Sequence, residues 1–135
     1  MRLFILLMLV SFNAFSYGPY DAQVERVKDG DTILLDVQLW PGLEQEISLR
    51  LDGINTPEKR GSPDCEKIEA QKAADFTSRF VAGGWVTLTD VRLGKYAGRA
   101  LGKISVDGVD LGQALLDAGL AREYHGGARG AWCDG

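Results

Sequence analysis

From Glu46 to Leu51 polar and apolar residues alternate, and the chain runs on through Asp52-Gly53-Ile54-Asn55-Thr56 to a proline at 57 and a carboxylate at 58. A period of two turns successive side chains to opposite faces of a strand, so Ile47, Leu49 and Leu51 face a core and Arg50 points away from it. A half-buried strand of this kind needs a sheet around it. The extended run stops at Pro57, where an arginine, an amide, a threonine carbonyl and Glu58 are gathered within nine residues.

The neighbouring stretches supply that sheet. Ala22 to Val27 reads as a first strand, Lys28-Asp29-Gly30 as its turn, and Thr32 to Leu39, rich in β-formers, as the second strand of a hairpin. Trp85 to Arg92 and Ala100 to Val106 read as the fourth and fifth strands. Between the third and fourth, a helix is predicted from about Pro63 to Ala82, with Ser62 as N-cap and Gly83-Gly84 as its end. Cys65, Ile68, Ala73, Phe76 and Phe80 form its expected core face. A short helix from Leu111 to Ala118 follows the fifth strand, with Leu111, Ala114, Leu115 and Ala118 turned inward. Five short strands in this order suit a small barrel, of which the OB-fold is the common type, although periodicity alone also allows an α+β sandwich.

A chain of 135 residues, 45% hydrophobic and 25% charged, has the material for one domain and one core. Its first residues differ. Met1-Arg2 precedes the apolar run Leu3 to Val10, and Ala14-Phe15-Ser16 offers small residues for a peptidase, so residues 1–16 are expected to be a signal peptide and 17–135 the mature domain. The apolar run is short for a bilayer span, which weighs against the alternative of a permanent anchor. Export, to the periplasm or outside, favours pairing of the two cysteines, Cys65 and Cys133, over two free thiols, and neither has Cys or His neighbours at metal-ligand spacing. The formal net charge of −4 argues against a general nucleic-acid coat but leaves room for a local site.

Three clusters carry chemistry. Arg50 and Arg99 each sit beside a turn, and a guanidinium offers a planar fork that binds two phosphate oxygens while staying charged. Asp31, Asn55 and the Thr56 carbonyl form a hard-oxygen set of the kind calcium takes. Glu58, fixed by Pro57, is a candidate to accept a proton from water. Alone, Asp29-Gly30-Asp31-Thr32 is explained as well by a tight turn. The single histidine, His125, cannot build a two-histidine metal site, and no Gly-x-Ser-x-Gly elbow is present.

Taken together, Asp29-Gly30-Asp31-Thr32, Arg50 through Thr56-Pro57-Glu58, Lys95-Tyr96-Ala97-Gly98-Arg99 and the closing Leu111 to Ala121 segment resemble the staphylococcal nuclease (thermonuclease) family, from about Val24 to Tyr124. The resemblance implies an OB-fold nuclease that cleaves DNA and RNA with calcium. It assigns metal binding to Asp31 and Thr56, the general base to Glu58 and phosphate binding to Arg50 and Arg99. Lys95 and Tyr96 fall near the substrate; Tyr96 either lines the pocket or stacks on a base, or else plugs the turn. Two departures stand out: Asn55 replaces a second metal-binding aspartate, and Ala97 lengthens the turn before Arg99. Asp29 and Asp52 are the nearby carboxylates that could restore the lost charge.

Two functions therefore compete. The first is an exported, calcium-dependent phosphodiesterase, monomeric and without stable membrane association once the leader is removed. The second is an OB-fold module that binds nucleic acid or protein, its metal site decayed through Asn55.

Overall fold

The computed structural model describes residues 16–95 and 98–133. The expected leader lies outside the described residues apart from Ser16, and so do Tyr96 and Ala97. Three long strands open the domain: β1 (Tyr20–Asp29), β2 (Thr32–Trp40) and β3 (Leu43–Leu51), antiparallel in sequence order. A two-residue strand β4 (Ile54–Asn55) leads to helix α1 (Asp64–Phe80). Then come β5 (Trp85–Leu93), β6 (Arg99–Val106), the short β7 (Val109–Asp110), helix α2 (Leu111–Asp117) and the short β8 (Arg122–Glu123).

The large sheet runs β3-β2-β1-β5-β6-β7, and β6 also pairs in parallel with β3. That last pairing closes β1, β2, β3, β5 and β6 into a five-stranded barrel with flanking helices, the OB-fold architecture, and removes the open edges a flat sheet would expose. The closure matters to the cleft: Ser48 pairs with Arg99 and Arg50 with Leu101, so β6 brings Arg99 alongside the strand that carries Arg50.

The barrel interior follows the alternation in the sequence. Ile33, Leu35, Leu49, Leu51, Leu88 and Ile104 are buried, and Ile47 packs against them from a half-buried position. At about 25 cal/mol per Å² of apolar surface, each buried leucine or isoleucine contributes roughly 1.5–3 kcal/mol relative to exposure. Helix α2 adds Leu111 and Leu115, and is capped by Asp110, whose carboxylate accepts from the Gln113 N–H at 2.8 Å. Ala118, expected to point inward, is the exposed C-cap instead.

Helix α1 departs from expectation in two respects. Pro63 occupies the N-cap position without a side-chain cap, while the Ser62 hydroxyl donates to the Arg60 carbonyl at 3.4 Å. Serine sits one residue too early to reach the free N–H groups. The buried face is Ala70, Ala73, Ala74 and Thr77, whereas Ile68 is 60% exposed. Small residues win because the helix lies close against the β1–β2 turn: a Cβ on Gly30 would stand 2.7 Å from the Ala73 Cβ. Phe76 and Phe80 do pack on the core, with ring centroids 6.5 Å apart.

Cys65 and Cys133 form a disulfide, with Cα atoms 6.3 Å apart. It fastens the tail beyond β8 to the start of α1. Arg122 lies over the Trp132 ring, 4.0 Å from its centroid, and donates to the Ala131 carbonyl at 2.9 Å. None of the described helices is long and apolar enough to cross a membrane.

Candidate active site

The β1–β2 turn is two residues, Gly30 and Asp31, between the paired Asp29 and Thr32. Gly30 is required here because α1 leaves no room for a side chain, and the buried Thr77 hydroxyl donates to the Gly30 carbonyl at 2.7 Å. The turn is thereby clamped from below. Across it, the Leu51 N–H donates to the Asp31 carbonyl at 2.8 Å, which ties the turn to the end of β3.

Asp31 is buried, and its charge is met on several sides. Oδ2 accepts from the Thr56 N–H at 3.1 Å, Oδ1 accepts from the Thr32 hydroxyl at 3.1 Å, and Arg50 Nη2 stands 3.5 Å from Oδ2. These contacts offset the desolvation that an isolated buried carboxylate would suffer. Arg50 also donates to Asn55 Oδ1 at 3.3 Å and rests over the Tyr124 ring, 5.6 Å from its centroid. Asp31 thus meets Asn55 and Thr56, more than twenty residues further along the chain, at one point.

Of the three, Asp31 lines a cleft of about 710 Å³, whose wall includes Arg50, Glu58 and Arg99. Arg26, Lys28, Lys59 and Arg60 line it as well, so six cations surround Asp29, Asp31 and Glu58. Further along the same three strands, β1 to β3, the charge is opposite: the carboxyl of Glu25 is raised above its ordinary value by a hydrogen bond and repulsion from Asp36, with Glu46 and Glu44 adding to it. A chain of net charge −4 has therefore concentrated positive charge at the cleft. Asp29 is pushed upward as well, first by burial and then by repulsion from Asp31. Asp52 does not serve the cleft, since its carboxylate pairs with Arg92 at 2.9 Å. Lys95 is exposed in the β5–β6 turn and is not among the described residues lining the cleft.

One residue that the motifs did not indicate enters from the tail. Arg129 Nη2 donates to Asn55 Oδ1 and, at 2.9 Å, to the Thr56 carbonyl; Nη1 is ion-paired with Glu58 Oε1. The available signal was indirect: Cys65 follows Glu58 by seven residues, so a Cys65–Cys133 bridge brings the tail, and the basic residue four before Cys133, toward Glu58.

The oxygens of Asp31, Asn55 and Thr56 have the hard character calcium prefers. As folded, however, Arg129 donates to two of them and Arg50 is paired with the third, so the set does not fit a further cation while the tail is docked. No group of three or more His, Cys, Asp or Glu suited to a metal ion occurs among the described residues.

A barrel closed by β3–β6, with a cationic cleft beside that seam, is an OB-fold. Residues 48–130 match the family model described as Staphylococcal nuclease homologue, and the chain belongs to that family. A search of curated proteins returned no match.

Proposed function

We propose that this protein hydrolyses phosphodiester bonds of DNA and RNA by attack of water. The observation that carries the reading is the convergence of Arg50, Arg99 and Glu58 on one cationic cleft in an otherwise acidic protein. The local cations favour approach of a polyanion, while the net charge opposes tight passive coating. Arg50 and Arg99 bind non-bridging oxygens of the scissile phosphate and stabilise the charge that grows on them in the pentacovalent transition state. Glu58 accepts a proton from water as the water oxygen bonds to phosphorus, and the bond from phosphorus to the leaving oxygen breaks. Asp31 orients Arg50 through their ion pair. Lys95 and Tyr96 are assigned to substrate binding on the family resemblance.

The chain is proposed to act after export and as a monomer, with residues 1–16 removed. The apolar leader and the Cys65–Cys133 disulfide support an oxidising destination. Calcium is the metal the resemblance implies. While the tail is docked, Arg129 fills the oxygens it would take.

One observation favours a second reading, that of a binding module: Glu58 is itself held by Arg129. Digestion of single-stranded DNA, double-stranded DNA and RNA, with calcium and with chelator, separates the two. Hydrolysis of any of them, lost in Glu58→Gln, supports the nuclease. Binding of all of them without cleavage under either condition supports the module.

A further inference from the structure

We infer that Arg129 is the resident cation of this site: while the tail is docked, its guanidinium takes the place of a divalent ion, and calcium enters only by displacing it. The inference rests on reading Asp31, Asn55 and Thr56 as the cation-binding oxygens. Arg129 donates to Asn55 Oδ1 and to the Thr56 carbonyl, two of those three oxygens, and pairs with Glu58 beside them. A guanidinium suits such a cage because its fork presents several donors in one plane and its charge does not titrate away.

Charge balance points the same way. Within the contacts themselves, Asp31 and Glu58 bring two negative charges and Arg50 and Arg129 supply two positive ones, while Asp29 lines the cleft beside them without an ion pair to either arginine among the described contacts. Asn55 contributes an oxygen without a charge, so a divalent ion added beside both arginines would meet no free carboxylate within those contacts. An ion that takes the Asn55 and Thr56 oxygens must displace the guanidinium that already donates to them. Arg50 is fixed in β3, between β2 and β6, whereas Arg129 belongs to the tail.

The tail is kept in reach by covalent means. Cys133, four residues beyond Arg129, is bonded to Cys65, and Trp132 lies under Arg122. Such a tether confines the tail and raises the effective concentration of the guanidinium at the cage. A tail docked about 90–99% of the time lowers the apparent affinity for calcium about 10- to 100-fold, since only the undocked fraction accepts the ion.

Calorimetric titration of the full chain with calcium, without substrate, tests this. Arg129→Gln is expected to bind calcium about 10- to 100-fold more tightly than the unsubstituted chain. A Cys65→Ser/Cys133→Ser double variant, which frees the tail without touching Arg129, is expected to fall between them. Equal affinities for the unsubstituted chain and Arg129→Gln overturn the inference, as does absence of calcium binding in all three. Should Arg129→Gln fail to fold, a double variant no tighter than the unsubstituted chain overturns it alone. Because no turnover is measured, a protein that shows the affinity shift yet cleaves nothing counts against the nuclease reading only.

Discussion

Arg50 and Arg129 meet at one atom, Asn55 Oδ1, but they reach it on very different supports. Arg50 is carried by β3, which is paired with β2 on one side and β6 on the other, and its guanidinium is steadied by Asp31 and the Tyr124 ring. Arg129 stands in a glycine-rich tail outside regular structure, fixed by a disulfide and by a stacked tryptophan. Removing Arg50 from its position requires breaking the barrel. Removing Arg129 requires only that a tail swing away. The same positive charge is thus permanent on β3 and exchangeable on the tail.

Opening the disulfide should break the contrast most strongly. The Cys65–Cys133 bridge spans 68 residues, and the loop-entropy relation gives about 4 kcal/mol of stabilisation for a loop of that size. Urea unfolding of Cys65→Ser/Cys133→Ser is expected to lose about that much, whereas a loss under about 1 kcal/mol would mean that the bridge constrains little beyond the tail itself. Next in size, Arg50→Gln is expected to lower hydrolysis about 10²- to 10³-fold, the cost of removing one charge-stabilising donor from a transition state. The same assay on Arg129→Gln should show no loss at saturating calcium, and a matching loss would put both arginines in one class.

Gly30→Ala probes the fixed side. The new methyl would stand 2.7 Å from the Ala73 Cβ, so either α1 or the Asp31 turn must shift, at about 1–3 kcal/mol of stability by thermal unfolding. Smallest of all, Trp132→Phe should change stability by less than about 1 kcal/mol, because it keeps a ring under Arg122 while deleting an indole N–H that is buried without a partner among the described residues.

The fixed side is also the side that the sequence made readable. Alternation along Glu46–Leu51 places Leu49 and Leu51 in the core and Arg50 at the cleft because a strand has a period of two and one buried face. The Asp29-Gly30-Asp31-Thr32 turn is legible because two-residue hairpins tolerate few residue types. Other features depend on distances that no local pattern records. The choice of Ala70, Ala73 and Ala74 over Ile68 for the buried face of α1 is set by how near the helix comes to Gly30. Arg129 has no periodicity around it, and its partner oxygens lie more than seventy residues away, so only the covalent bridge hints at where it goes.

The most direct trial of the account is hydrolysis of a labelled single-stranded oligonucleotide by the full chain and by Glu58→Gln, both at saturating calcium. The account predicts cleavage by the unsubstituted chain and a fall of about 10²- to 10⁴-fold in the variant, the range for loss of a general base. Cleavage at equal rates by the two would contradict it.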